Sequence, residues 1–168
     1  MIWVIIPAFN EEKSIGLVLS DLPREVDEIV VIDNGSTDET AAEAKKGGAT
    51  VLYEPRKGYG FACLAGIEHL KAKANQGDIV VFLDGDYSDY PEELTALITP
   101  ILQQKALFVL GTRVTPQLEK GALTPQQRFP GFCVGVGQAG QQAGGDRAGQ
   151  RVDSPRCGDP AGWPSSAS

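Results

Sequence analysis

Asp78-Ile79-Val80-Val81-Phe82-Leu83-Asp84-Gly85-Asp86 reads as an apolar strand that ends in two carboxylates. Its unbroken run of β-branched and aromatic residues marks a strand buried on both faces of a sheet. Ligands of an open α/β sheet sit beyond the carboxyl ends of the strands, so Asp84 and Asp86 are placed at a crevice. Carboxylates at i and i+2 point the same way while strand geometry persists, and Gly85 lets the backbone turn while a ligand approaches closely. The pair suits Mg²⁺ or Mn²⁺, which one or two carboxylates hold while water and substrate phosphates complete the shell. A solitary Asp-x-Asp is more often a polar turn, so the company it keeps decides.

Upstream, the same theme repeats three times. Ile2 to Ile6 is a strand that Pro7 is expected to halt, since proline cannot donate to a ladder. Asn10 reads as the N-cap of a helix with Ile15, Val18, Leu19 and Leu22 on one face, closed by Pro23. Glu28 to Asp33 is a second strand, followed by Asn34-Gly35 and a capping box from Ser36 to Glu39. Thr50 to Glu54 is a third, followed by Pro55-Arg56-Lys57-Gly58-Tyr59-Gly60 and a helix expected to bury Phe61, Leu64, Ile67, Leu70 and Ala74, with His69 on its solvated side. Downstream, Pro91 suits a helix start, Leu94, Leu97, Ile98 and Ile101 form a core face, Pro100 is expected to kink that helix, and Ala106 to Leu110 is a fifth strand. Strands alternating with helices predict a mostly parallel sheet with helices on both faces, of the doubly wound Rossmann-like α/β class.

The 168 residues, 42% of them hydrophobic, fit one compact domain with a real core. A net charge of −7 argues against a nucleic-acid partner, because no basic stripe replaces phosphate counterions. Cys63, Cys133 and Cys157 lack paired spacing, which fits a reducing compartment without structural zinc. The N-terminus reads as a strand rather than a signal peptide, and no stretch approaches the roughly 18 apolar residues of a spanning helix. The expectation is a cytoplasmic protein, soluble or peripheral at the cytoplasmic membrane face. From Phe129 to Ser168 the sequence is crowded with Gly, Gln, Ala, Pro and Ser and lacks apolar periodicity. The organisation expected is therefore a folded domain over 1–128 and a low-complexity, disordered tail over 129–168.

Polar groups gather at the strand ends: Pro7 to Glu11, Asp33-Asn34, Arg56-Lys57-Gly58, Asp84-Gly85-Asp86 and Arg113. A carboxylate such as Asp33 at a base-binding position accepts N–H bonds, which favours uracil or guanine; the competing reading is an Asx residue that starts the turn at Gly35. Arg56 and Lys57 could meet a diphosphate or simply line a solvated loop. Gly58-Tyr59-Gly60 looks like a dinucleotide loop, but that fingerprint belongs after the first strand. Pro7-Ala8-Phe9-Asn10-Glu11-Glu12 stands there instead, which nearly excludes an NAD-dependent oxidoreductase.

Pro7-Ala8-Phe9-Asn10-Glu11-Glu12, Val31-Ile32-Asp33-Asn34-Gly35-Ser36-Thr37-Asp38, Arg56-Lys57-Gly58 and Asp84-Gly85-Asp86 resemble, in order, the motif set of family 2 glycosyltransferases with the GT-A fold. The resemblance covers about Met1 to Arg128 and is nearest the polyprenyl-phosphate (dolichyl-phosphate) mannosyl- and glucosyltransferase branch. It implies a nucleotide-diphospho-sugar transferase fold, with Pro7, Phe9, Glu11 and Asp33 lining a nucleoside pocket and Phe9 standing where the family often has Tyr. It further implies Asp84 facing ribose and metal, Asp86 as principal metal ligand, Gly85 packed under it, and Arg113 toward the phosphates, where Lys57 is also a candidate nucleotide-sugar-binding residue. The implied reaction is an inverting, Mg²⁺- or Mn²⁺-dependent transfer from a UDP- or GDP-sugar, with a lipid phosphate as acceptor and peripheral membrane contact. Members continue past Leu123 to Arg128 into an acceptor half, whereas the Gly-rich tail here reads as truncated or frame-shifted. No general base stands out, and a phosphate acceptor needs none, being mostly ionised near neutrality with a second pKa of about 6. A non-catalytic nucleotide-sugar-binding module is the alternative that this departure leaves open.

Overall fold

The computed structural model describes residues 1–112 together with 135–138 and 150–153. Over these residues the chain runs β1 (Ile2–Ala8), α1 (Ile15–Asp21), β2 (Glu28–Asp33), α2 (Thr40–Lys46), β3 (Thr50–Tyr53), α3 (Tyr59–Lys71), β4 (Ile79–Phe82), a 3₁₀ turn at Pro91–Glu93, α4 (Leu94–Leu102), β5 (Phe108–Thr112), β6 (Gly135–Gln138) and β7 (Gln150–Asp153). The sheet has the order β3-β2-β1-β4-β6-β5-β7. Strands β1 to β4 are parallel, as the alternating pattern requires.

Period-2 alternation sorts β1 onto two cores. Val4, Ile6 and Ala8 pack with Ile15, Val18 and Leu19 of α1, Ala44 of α2, and Leu94, Leu97, Ile98 and Ile101 of α4. Trp3 and Ile5 face the other way, with Val30 and Ile32 of β2 and Ala62 and Leu70 of α3. Helices thus cover both faces, and β1, flanked by β2 and β4, is buried along almost its whole length.

Several local expectations are corrected. Pro7 does not halt β1, which pairs on through Ala8 with Asp33. The Ile5 carbonyl accepts from Leu83 and the Ala8 carbonyl from Asn34, so Pro7, two residues after Ile5, directs its missing N–H toward β4 beyond the last β4 pair at Phe82. No ladder bond is lost there. Asn10 does not cap α1: it sits at φ +58 and α1 begins after Ser14. Ser36 does not cap α2, whose N-cap is Glu39. Instead the two loops bind each other. Asn10 N–H donates to Ser36 Oγ at 3.0 Å, Thr37 N–H to Asn10 Oδ1 at 2.9 Å, and Glu11 N–H to Thr40 Oγ1 at 2.7 Å.

Helix α3 is also rotated from its expected face. It buries Ala62, Gly66 and Leu70 and exposes Phe61, Leu64 and Ile67. Close approach to the sheet decides this, since a Cβ on Gly66 would stand 2.6 Å from Ile5 Cγ2. His69 is half-buried rather than solvated, and its Nε2 has no hydrogen-bond partner among the described residues. The α4 core face is as read from the sequence, with Pro100 inside its last turn.

Two four-residue pieces of the segment expected to be a disordered tail, Gly135–Gln138 and Gln150–Asp153, are strands of the sheet. Strand β6 runs antiparallel between β4 and β5, and β7 runs parallel on the outer side of β5. Composition misses such pairing because a strand edge offers N–H and C=O groups that any backbone can satisfy, whatever its side chains.

Candidate functional site

The strand order reverses between β1, from which β2 and β3 extend to one side, and β4, which lies on the other. A crevice beyond the carboxyl ends of those two strands is where an open α/β sheet binds its ligand. There lies a cavity of about 300 Å³ lined by Pro7, Ala8, Phe9, Glu11, Asn34, Tyr59, Ala62, Asp84, Gly85 and Asp86.

Six of the residues singled out from the sequence therefore meet in one place: Pro7, Phe9 and Glu11 after β1, and Asp84, Gly85 and Asp86 after β4. Gly85 sits over the end of β1, where a Cβ would lie at ordinary contact distance, 3.5 Å, from Ala8 Cβ, Ile6 Cγ2 and the Pro7 carbonyl oxygen. Glu11 is half-buried, and its Oε2 accepts from Ser14 Oγ at 2.7 Å. Asp86 accepts from the Ser88 N–H at 2.9 Å, which orders the turn after β4.

Three others stand differently. Asp33 is buried and is not among the lining residues; its Oδ1 accepts from Ser36 N–H at 2.9 Å, the turn-starting role weighed for it. Lys57 also lies off the lining, with its ammonium 5.5 Å from the centre of the Phe9 ring. Arg113 is outside the described residues. Arg56 is committed elsewhere: its Nε and Nη2 grip Glu54 at 2.8 and 2.7 Å while the guanidinium lies 4.8 Å over the Phe61 ring. That grip holds the Glu54 carboxyl down at about 2.

Asn34, named with Asp33 at the end of β2 but given no role, and Tyr59, given none either, complete the site. Buried Asn34 donates from Nδ2 to the carbonyls of Glu54 and Arg56 at 3.0 and 2.7 Å, and its Oδ1 accepts from Gly58 N–H at 2.7 Å. One amide thereby pins the loop after β3 to the end of β2. Tyr59 donates to Asp84 Oδ1 at 3.2 Å, and burial together with the Asp84 charge pushes its phenol well above the usual range. The available signal was an aromatic residue between two glycines at a strand-to-helix junction, the segment set aside as a dinucleotide-loop look-alike.

The donor set is hard oxygen, two carboxylates on one short turn, which fits a divalent cation that also takes phosphate oxygens. Among the described residues no three His, Cys, Asp or Glu side chains cluster into an all-protein cage. Two protein carboxylates with the rest of the shell supplied by substrate is the pattern expected of Mg²⁺ and related ions.

Comparison with known proteins places this architecture. The family model for glycosyl transferase family 2 matches residues 3–164. The chain belongs to that family. The family 2 match extends beyond Arg128, where the motif resemblance ends. A dolichyl-phosphate hexose transferase of Haloferax volcanii is 32% identical over 142 residues, covering 79% of this chain and 59% of its own. The UDP-N-acetylglucosamine–dolichyl-phosphate N-acetylglucosaminyltransferase of Methanococcus voltae is 31% identical over 133 residues, covering 68% and 52%. Glucosyl-3-phosphoglycerate synthase of Mycobacterium tuberculosis, solved with Mn²⁺, UDP-glucose and phosphoglyceric acid, matches with TM-score 0.56 and 32% identity over 66% of this chain and 43% of that one. This family 2 chain thus spans about half the length of the curated relatives it matches. Among the described residues no helix is long and apolar enough to cross a membrane.

Proposed function

We propose that the cavity binds a nucleoside diphosphate sugar, with uridine or guanosine as the base, together with Mg²⁺ or Mn²⁺, for inverting transfer of the sugar to a phosphate-bearing acceptor of the polyprenyl-lipid class. The observation that carries this reading is the meeting of Pro7, Phe9 and Glu11 with Asp84, Gly85 and Asp86 at the strand-order reversal. The relatives add support, since UDP-N-acetylglucosamine and dolichyl phosphate are named for one and UDP-glucose with Mn²⁺ is bound to another.

The chain's own residues divide the work. Phe9, nearly half exposed in the cavity, offers an apolar face to a base, and Lys57 beside it offers a positive charge to the diphosphate. Asp33 has acceptor capacity beyond its bond to Ser36 for a base N–H. Asp84 and Asp86 would hold the cation, and the family resemblance alone assigns Arg113 to the phosphates. A divalent cation there supplies charge stabilisation to the departing nucleoside diphosphate. Attack by an acceptor phosphate oxygen on the face opposite the leaving group inverts the anomeric carbon and requires no protein nucleophile. The proposed setting is the cytoplasm, with peripheral contact at the membrane that carries the lipid acceptor.

Calorimetry with UDP and GDP, each with Mn²⁺, Mg²⁺ or chelator, tests the donor site. Metal-dependent binding of one nucleotide, lost in Asp86→Ala, is expected. Equal affinity in chelator removes the metal assignment, and no affinity for either nucleotide removes the donor site. Turnover with a polyprenyl phosphate at roughly 1 per second or more separates an enzyme from a nucleotide-sugar-binding module.

A further inference from the structure

The roles proposed for Asp84 and Asp86 leave open what orients Asp84, which lies beyond the last paired residue of β4, Phe82. We propose that Tyr59 is the positioning residue for Asp84: its hydroxyl holds one carboxylate oxygen and so orients the carboxylate for a cation carried with the nucleoside diphosphate. The inference rests on the donor-site reading above.

Tyr59 is well suited because its backbone is fixed from three sides. It opens α3, whose Ala62 and Leu70 are buried against β1 and β2 and whose Gly66 backbone lies against Ile5. Its predecessor Gly58, at φ +130, adopts a conformation that L side chains rarely take, and Asn34 Oδ1 holds the Gly58 N–H at 2.7 Å. From that anchored start the phenol reaches across the cavity to Asp84 Oδ1 at 3.2 Å.

A carboxylate has about four lone-pair sites, and the bond from Tyr59 takes one of them and restricts the plane in which a cation would bind. Hydrogen bonds from outside the ligand shell orient ligating groups, and their loss costs about 10- to 100-fold in metal affinity. Removing the hydroxyl alone removes that constraint while the ring keeps its packing.

The test is a Mn²⁺ titration, read by the loss of the free-ion paramagnetic resonance signal, into UDP-saturated protein with and without Tyr59→Phe. The expected result is about 10-fold weaker Mn²⁺ binding, with the metal-free melting temperature unchanged. A structural role alone would lower the melting temperature and leave the metal titration in place. Adding Asp84→Asn provides a cycle: Tyr59→Phe should have no further effect on Mn²⁺ affinity in that background, and equal loss in both backgrounds overturns the inference. Unchanged Mn²⁺ affinity in Tyr59→Phe overturns it while the donor site stands, whereas a parent protein that binds no Mn²⁺ with UDP removes the donor-site reading and this one with it.

Discussion

Trp3 Nε1 donates to Asp78 Oδ2 at 3.1 Å, joining the start of β1 to the residue before β4 across 75 positions of sequence. Asp78 also accepts from the Met1 ammonium at 2.8 Å and the Asn75 N–H at 2.9 Å. The polar groups at this end of the central strand pair are thereby satisfied under a large buried indole.

The Met1 ammonium first, then the Asn75 N–H and the Trp3 indole, hold the Asp78 carboxyl down at about 2. Its folded pKa is depressed, so it stabilises the fold above the unfolded carboxyl range and ceases to do so as pH falls through the folded value. Glu54, held at about 2 by Arg56, acts in the same sense. Stability measured by denaturant titration should be level near neutrality and fall between about pH 4.5 and 2. Asp78→Ala should lower neutral stability by about 1–3 kcal/mol, because the buried Trp3 N–H loses its partner, and should flatten part of the acid limb. A variant with the parent's acid limb would remove this account.

Two glycines of α3 should respond to alanine with opposite signs. At Gly60 a new Cβ meets nothing within 4 Å, so Gly60→Ala should raise stability by about 0.5–1 kcal/mol through helix propensity and a less free unfolded chain. At Gly66 the Cβ would meet Ile5 atoms at 2.6, 3.1 and 3.3 Å, and Ile5 is fully buried and stiff at χ1. Overpacking of about 1–3 kcal/mol outweighs the propensity gain, so Gly66→Ala should unfold at lower denaturant. Equal shifts in both variants would show that α3 does not sit this close to β1.

The α3 face also marks the limit of what was legible in the sequence. Apolar spacing pointed to Phe61, Leu64 and Ile67 along with Leu70, which is buried as expected, whereas Ala62 and Gly66 took the places of the first three, because a helix close to a sheet needs small residues and hydropathy gives them little weight. The parallel strands, the α4 core face and the meeting of Asp84-Gly85-Asp86 with Pro7, Phe9 and Glu11 were legible, since runs of Val and Ile and the strand-end rule depend only on local pattern. The helix caps were misassigned because Asn10 and Ser36 bind each other's loops, a choice made by residues 26 positions apart. Strand β6 was invisible for a related reason, as its place between β4 and β5 is fixed by backbone pairing.

Asn34→Ala should do more harm than its size implies. It strands the carbonyls of Glu54 and Arg56 and the Gly58 N–H, all held by one buried amide. About 1–3 kcal/mol of stability should be lost for the groups left unpaired. The loop that carries Lys57 should exchange its amides faster, and nucleotide affinity should fall with it. Asn34→Asp keeps the acceptor for Gly58 but loses both donors, so hydrogen exchange should place it between the parent and the alanine variant. Identical exchange in all three proteins would remove Asn34 as the tie between β2 and this loop.

Neighbouring cations after β3 should separate cleanly. Arg56 spends its guanidinium on Glu54 and the Phe61 ring, whereas Lys57 stands 5.5 Å from Phe9 at the cavity. Lys57→Ala should therefore weaken UDP binding by several-fold at low salt and reduce its salt dependence, since a partly exposed charge acts over a Debye length of about 10 Å at 0.1 M. Arg56→Ala leaves Glu54 buried without its counter-charge, so its Glu54 carboxyl should rise toward the ordinary range and the acid limb of stability should move to higher pH. Nucleotide affinity at neutral pH, measured below the melting range, should change less than in Lys57→Ala. If Arg56→Ala instead removes the salt dependence of UDP binding while Lys57→Ala leaves it intact, the guanidinium must leave Glu54 to meet the diphosphate, and the assignment of the two residues is reversed.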